Sequence, residues 1–352
     1  MRVLFLGEFS GLYKYIVEGL TANGIDVDWY ANGDHWKKIS GMTGTLEGNN
    51  GIKLYDKIIF PLLQMRKWKN YDIVQIVSPL IFSPKINVFL LKWIKKNNKK
   101  LVLTSAGTDI ELYRFYKAGK FKLPYYAFDG CDYLADWYEE GRPYAVNDEK
   151  VLSFVDYIIP TCYEYNEVYK DHPKYLKMIP MSVNVDTIEY KENIIQDKVV
   201  IFHGLNREVF KGTPYIREAM EKVGAKYPDD VEMVIDGKMP IDEYTKLLER
   251  TNVVIDQCKG YSSGINSLLC MAMGKVVLGG NEEIARIKDL TDSSPVINIR
   301  PDAEHIEEAL EWIVHNKDKI IEIGRESRKY VEKVHDYRKI ANQYVEAWKQ
   351  IL

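Results

Sequence analysis

Two cations stand four residues apart in the run His203-Gly204-Leu205-Asn206-Arg207-Glu208-Val209-Phe210-Lys211-Gly212-Thr213. That spacing lets Arg207 and Lys211 serve one target. Arg grips two oxygens at once, and Lys acts as a point charge. Some fifty residues on comes Gly260-Tyr-Ser-Ser-Gly-Ile-Asn-Ser-Leu-Leu-Cys-Met-Ala-Met-Gly-Lys-Val-Val-Leu278, a small-residue turn feeding a short apolar helix and then a buried strand. Such a turn offers free backbone N–H groups and the positive end of a helix to an anion. Ser262, Ser263, Gly264, Ile265 and Asn266 sit at that start, with Tyr261 before them. Ser263 is also a good N-cap. Together these features read as a seat for a diphosphate. If the bond to that diphosphate breaks, cations fixed beside the leaving oxygen stabilise the transition state more than the ground state.

Other candidates are single residues at the ends of strands. His203 and Gly204 lie beside the cation pair, so His203 can touch whatever binds there or pack internally. Asp236-Gly237-Lys238-Met239-Pro240 follows another strand. In the first half, Gly7-Glu8-Phe9-Ser10-Gly11 makes a strand-to-helix loop that lacks the Gly-x-Gly-x-x-Gly fingerprint. Glu8 is a lone carboxylate there, at a strand end. Asp109, in Thr104-Ser-Ala-Gly-Thr-Asp109, can cap the next helix or accept a hydrogen bond from a ligand. His172, His203, His305, His315 and His335 show no metal-ligand spacing, and no Asp-x-Asp pair is placed to hold a nucleotide metal.

The elements that must carry these loops alternate. Strands are expected over 3–6, 26–30, 71–77, 101–104 and 157–160, with helices over 12–23, 85–97 and 147–155. The run Tyr71-Asp-Ile-Val-Gln-Ile-Val77 is continuous and β-branched, as a strand buried on both faces should be. A second series follows a polar stretch at 189–197. Its strands are expected at 199–202, 231–235, 252–255 and 276–278, with helices at 214–225, 241–250, 265–273 and 302–315. A last helical stretch over 316–350 breaks near His335-Asp336. The alternation implies parallel sheets covered on both faces, and hence an α/β protein of two doubly wound, Rossmann-like domains facing a central cleft. The domains are drawn at 1–188 and 189–335, with 336–352 a helix returning to the first.

The cation pair before Gly212 and the Gly260–Leu278 segment resemble the donor-binding half of GT-B glycosyltransferases, most closely the retaining, metal-independent family-4 type. The resemblance covers most of the chain and is more specific in the second half. It implies that Arg207 and Lys211 are catalytic. It makes His203, Gly204, Asn206, Lys238, Met239, Tyr261, Ser262, Ser263, Gly264, Ile265 and Asn266 donor-binding, with the 236–240 loop beside the base. It places Gly7, Glu8, Phe9, Ser10, Gly107, Thr108 and Asp109 near the acceptor or the transferred sugar. Three positions depart from the family. The two usual glutamates fall on Tyr261 and Leu269, and Ala106 stands where the first-half turn usually has histidine. Asp256-Gln257 and Glu282-Glu283 are nearby polar substitutes.

The function so implied is transfer of a sugar from a nucleotide-diphosphate sugar to a glycan or lipid-linked hydroxyl in cell-surface polysaccharide assembly. No cofactor or metal is expected. The rival is a non-catalytic binding subunit of the same fold. A chain of 352 residues with 46 % hydrophobic and 28 % charged residues suits a soluble two-domain protein. Its net charge of −3 gives nucleic acid no purchase. Four scattered cysteines predict reduced thiols in a cytoplasmic protein. Two basic–aromatic stretches, Met65–Lys69 and Leu91–Lys100, predict peripheral contact with an anionic membrane, at the inner face of the plasma membrane.

Overall fold

The computed structural model describes residues 1–33, 39–205, 207–237, 241–286, 291 and 293–352. The chain forms two compact units. The first comprises Met1–Lys122, Tyr133–Asn184 and Tyr337–Leu352; the second comprises Leu123–Asp132 and Val185–Asp336. Ten residues in the middle of the first unit's sequence therefore belong to the second.

The first unit contains β1 (Arg2–Leu6), α1 (Leu12–Ala22), β2 (Asp26–Tyr30), α2 (Phe60–Gln64), β3 (Ile73–Ile76), α3 (Asn87–Lys96), β4 (Lys100–Ser105), α4 (Ile110–Lys117), α5 (Tyr133–Tyr138), α6 (Pro143–Phe154), β5 (Tyr157–Pro160) and α7 (Tyr163–Tyr169). Its strands pair in parallel in the order β2-β1-β3-β4-β5. Every residue of β3 is buried, as its unbroken β-branched run requires of a strand covered on both faces.

The second unit contains β6 (Val199–Gly204), α8 (Glu208–Lys211), α9 (Thr213–Lys226), β7 (Val231–Asp236), α10 (Ile241–Arg250), β8 (Val253–Ile255), α11 (Ile265–Ala272), β9 (Val276–Gly279), β10 (Ile297–Asn298), α12 (Ala303–His315) and α13 (Ile320–Val334). Its sheet is also parallel, in the order β10-β9-β8-β6-β7. Ile201, Ile255 and Leu278 from three strands share a buried cluster with Ile216 and Met220 of α9 and Ile306 and Leu310 of α12.

After α13 the chain turns at His335 and Asp336 and re-enters the first unit as α14 (Tyr337–Lys349). There Trp348 and Tyr344 are fully buried, and the Trp348 indole N–H donates to Oε1 of Gln75 on β3. A Cβ on Gly19 of α1 would lie 2.2 Å from the Tyr337 carbonyl oxygen, so this close helix approach needs glycine. The four cysteines are unpaired. Among the described residues, no helix is long and apolar enough to cross a membrane.

Candidate functional site

In the second unit the chain steps from β6 to β7 in one direction, and from β7 to β8 and β9 in the other. The loops after β6 and β8 consequently leave the sheet toward opposite faces. The crevice beyond their carboxyl ends is where open α/β sheets take ligands. The sequence places its two cation and small-residue segments on these two loops.

Arg207 ends the first loop in the left-handed region, at φ 51°, a conformation uncommon for a residue with a Cβ. It is exposed, and its guanidinium lies 4.9 Å from the centre of the Phe210 ring. Among the described residues it has no carboxylate partner. Lys211 closes the one-turn α8, and the chain reverses into α9 through Gly212 at φ 79°. A Cβ on Gly212 would sit 2.4 Å from Sγ of Cys258 on the opposing loop, so glycine is required there twice over. The two loops also meet where the Cys258 N–H donates to the Lys211 carbonyl at 3.0 Å.

Lys211 and Arg207 do not form the shared clamp that their spacing implies. Lys211 is buried, and its Nζ lies 3.0 Å from Oδ1 of Asp256, which is also buried at the end of β8. Oδ2 of Asp256 accepts from Ser267 Oγ at 2.8 Å, and Oδ1 accepts from Asn266 Nδ2 at 3.3 Å. Asn266 in turn accepts from the Tyr244 hydroxyl at 3.1 Å. Burial pushes the Asp256 carboxyl up. The adjoining Lys211 ammonium and the three hydrogen bonds outweigh that effect and hold it below the usual carboxylate range. Asp256 thus takes the Lys211 charge and grips the first turn of α11. Its pairing with Lys211 is what sequence reasoning missed; its position at the end of a parallel strand was the available signal.

At the start of α11 the N-cap is Gly264, in an extended conformation, not Ser263 as expected. Ser263 Oγ instead donates to the Gly280 carbonyl at 3.1 Å, tying the turn to the end of β9. Gly264 is not in the left-handed region, and a Cβ there would meet only Oδ2 of Asp256, at an ordinary 3.7 Å. Among the described residues, no atom requires glycine at that position. Ile265 is buried beneath the turn, and Ser262 is half-buried with its carbonyl 3.4 Å from Nε2 of Gln257.

Three further expectations change in the second unit. His203 is fully buried: Nδ1 donates to the Ile255 carbonyl at 2.9 Å, and Nε2 is 2.9 Å from the Thr213 hydroxyl. Burial, reinforced by the Lys211 ammonium, pushes its imidazole down to about 4. It is a neutral packing residue that ties β6 to β8 and α9, and it does not face a donor. Tyr261 is buried as well. Its hydroxyl donates to the Leu123 carbonyl and its ring packs 5.4 Å from that of Tyr125, so segment 123–132 covers it. Glu282, one of the polar substitutes for the family's glutamates, is instead held by Arg300 in a two-pronged contact at 2.7 and 2.8 Å. Gly204 ends β6, half-buried, and Leu269 is also half-buried on α11. Asn206, Lys238 and Met239 lie outside the described residues.

In the first unit the corresponding reversal of direction falls between β1 and β3. Glu8 does not orient an acceptor. It is buried, and its two oxygens accept the N–H groups of Gly11 and Lys14 at 2.8 and 2.9 Å, capping α1. Beside it, Ser10 is left-handed at φ 58° and Phe9 is exposed. A Cβ on Gly107 would approach the Phe9 ring to 3.2 Å, so the loops after β1 and β4 touch. Asp109 is the cap rather than a sugar ligand. Its Oδ1 accepts the Leu112 N–H at 2.9 Å, and its Oδ2 accepts the Tyr169 hydroxyl at 2.7 Å. The Thr108 carbonyl accepts the Tyr138 hydroxyl at 2.9 Å. Asp148 of α6 reaches the same helix start, accepting the Ile110 N–H at 3.2 Å. Burial pushes Asp109 up to about 6, and burial together with the Asp109 charge pushes Asp148 up to about 7.

This pair of parallel sheets is the GT-B fold. It is similar to sucrose-phosphate synthase (tll1590) from Thermosynechococcus elongatus, at TM-score 0.63 and 15 % identity over 100 % of this chain and 99 % of that one. It is similar to Anabaena Alr3699/HepE in complex with UDP and glucose, at TM-score 0.64 and 10 % identity over 99 % of each chain. An alpha-glucosyltransferase in complex with UDP and a 13-mer DNA matches at TM-score 0.65 and 11 % identity, again over 99 % of each chain. UDP-GlcNAc 2-epimerase from Neisseria meningitidis shares the architecture at TM-score 0.58 and 11 % identity, over 99 % of this chain and 100 % of that one. No protein-family model matches the sequence, and no curated protein sequence matches it.

Proposed function

We propose that the chain is a glycosyltransferase that moves a sugar from a nucleoside diphosphate sugar to a hydroxyl of a glycan or lipid-linked acceptor. The observation that carries this reading is that the loops after β6 and β8 touch at Lys211, Gly212 and Cys258, with Arg207 exposed on the first loop and the second leading into the glycine-capped start of α11. Backbone N–H groups at the start of α11 would receive one phosphate, and Arg207 would meet the charge that grows on the leaving oxygen. Lys211 is then a positioning residue. Through Asp256 it holds Asn266 and Ser267, and with them the first turn of α11. Uridine is the base to try first, because similar structures carry UDP or UDP-glucose. Retention of anomeric configuration and independence from metal are part of the proposal, following the family-4 resemblance. A product-anomer assignment and an assay in chelator test them.

A second reading is a nucleotide-binding subunit without transfer. It is favoured by the neutralised Lys211 and by the covered Tyr261 where the family has a glutamate. A thermal-shift screen with UDP, GDP, CDP, ADP and their sugar conjugates, with and without magnesium, tests both. A ligand at a hundred times its Kd stabilises by about 2.7 kcal/mol, enough for a visible shift. A selective response to one nucleotide, followed by transfer or hydrolysis of its sugar, supports the enzyme. Binding without turnover supports the subunit, and a flat panel refutes both.

A further inference from the structure

The sequence places basic–aromatic stretches at 65–69 and 91–100 but assigns nothing to the residues just before them. The structure makes 53–67 continuously helical, through a wide π turn at Tyr55–Ile59, α2, and a tight turn at Met65–Lys67. The wide turn has a local cause. Pro61 has no N–H to give to the preceding turn, and its ring crowds the carbonyl four residues back. One side of this segment is anchored. Pro61 is buried, and Trp68, also buried, packs 5.2 Å from Phe82 and 5.9 Å from Tyr30.

The other side is exposed and apolar. Leu54 and Leu63 are 64 % exposed, Ile52 is 61 % and Ile59 is 40 % exposed. On α3 Phe89 is 58 % exposed, with exposed Lys92 and Lys96 three and seven residues on. The steps β2 to β3 and β3 to β4 run in the same direction across the sheet, so right-handed crossovers put α2 and α3 on the same face. Their C-terminal ends are joined: the Asn70 N–H donates to the Asn97 carbonyl, and Asn98 Nδ2 donates to the Trp68 carbonyl. Large aliphatic side chains this far out of a folded surface mark an interaction face.

Charge identifies the partner. Residues 47–69 hold Lys53, Lys57, Arg66, Lys67 and Lys69 against two carboxylates, Glu47, whose Oε1 lies 3.9 Å from Lys57 Nζ, and Asp56, in a chain whose net charge is −3. Asp56 is itself engaged by the N–H groups of Asn50 and Gly51. Protruding aliphatics ringed by cations match the boundary between acyl chains and anionic headgroups. We propose that the outer face of residues 52–69, extended by Phe89, docks on an anionic bilayer. This inference does not rest on the transferase reading and fails or stands separately from it.

The test uses the full chain and sucrose-loaded vesicles of phosphatidylcholine, with and without phosphatidylglycerol. The protein is expected to sediment with the anionic vesicles, at least about tenfold more tightly than with neutral ones, and to be released by salt. The double substitution Leu54→Ser/Leu63→Ser should weaken binding about tenfold or more without lowering the Tm, because both side chains are exposed. Lys57→Glu/Lys67→Glu should abolish the preference for anionic vesicles. No binding to either vesicle, or equal binding by all three proteins, overturns the proposal. So does a concentration-dependent dimer lost on Leu54→Ser/Leu63→Ser, which would assign the face to a second copy of the chain.

Discussion

At the residue scale the Lys211–Asp256 pair decides how the site is tested. A catalytic Lys211, as the sequence implies, means that Lys211→Ala lowers turnover sharply and leaves the fold intact. The pair lies out of water, so removing either member strands the other, at about 3–5 kcal/mol. Lys211→Met and Asp256→Asn should each lose that much in urea denaturation, and the double variant should recover most of it. Losses below about 1 kcal/mol in both single variants would mean that the pair does not form. Gly264→Ala separates fold from binding in the other direction. The added methyl has room, so stability should hold within about 1 kcal/mol. Nucleotide affinity should fall about tenfold or more if a phosphate approaches that backbone, and unchanged affinity removes α11 from the site. Residue types and their loops were legible in the sequence because chemistry-bearing residues collect where parallel strands end. Pairing was not legible: the partner of Lys211 lies 45 residues away, and only the β6–β8 register brings the two together.

At the element scale the start of α4 stores an electrostatic cost. Asp109 and Asp148 both serve its first N–H groups and both are buried; burial pushes each toward its protonated form, and the Asp109 charge adds to this at Asp148. Their folded-state values, about 6 and about 7, lie above the ~4 of an unfolded carboxyl. The folded protein therefore holds more protons across that interval. Its stability is greatest at or below pH ~4 as far as these groups are concerned, and falls as pH rises toward 7. Asp148→Asn keeps an acceptor for the Ile110 N–H and removes one charge. It should stabilise the protein at pH 8 by on the order of 1–3 kcal/mol, with the gain shrinking as pH falls and vanishing near pH ~3, below the unfolded carboxyl value. Tm measured against pH checks this, and parallel curves for the two proteins would exclude it. Long elements with a clear period, such as α9, α12 and the buried strands, lie within a residue or two of where the sequence puts them. The helical segment over 53–67 was missed because Pro61 interrupts it and its outer face is apolar, which erases the amphipathic signal.

At the scale of the whole molecule, the chain passes between its two units four times, after Lys122, Asp132, Asn184 and Asp336. Strand–helix alternation draws boundaries at 188 and 335, and it cannot reveal a ten-residue excursion with no strand of its own. That excursion supplies specific partners inside the second unit. The Asp129 carbonyl accepts Lys259 Nζ at 2.8 Å, and the Leu123 carbonyl accepts the Tyr261 hydroxyl. Lys259 and Tyr261 are both buried, so a second unit lacking residues 123–132 would leave an ammonium and a hydroxyl without their acceptors, beside an uncovered aromatic ring. Each hydrogen bond exchanged for one to water costs about 0.5–1.5 kcal/mol net, more for the charged one, and the ring's lost burial adds to this. A fragment spanning 185–336 should accordingly unfold at lower urea than the same fragment mixed with a synthetic peptide spanning 122–133. Tyr261→Ala in the fragment should remove most of the peptide's effect. If the bare fragment unfolds at the same urea concentration with and without peptide, the excursion is a passive connection and the second unit is complete without it.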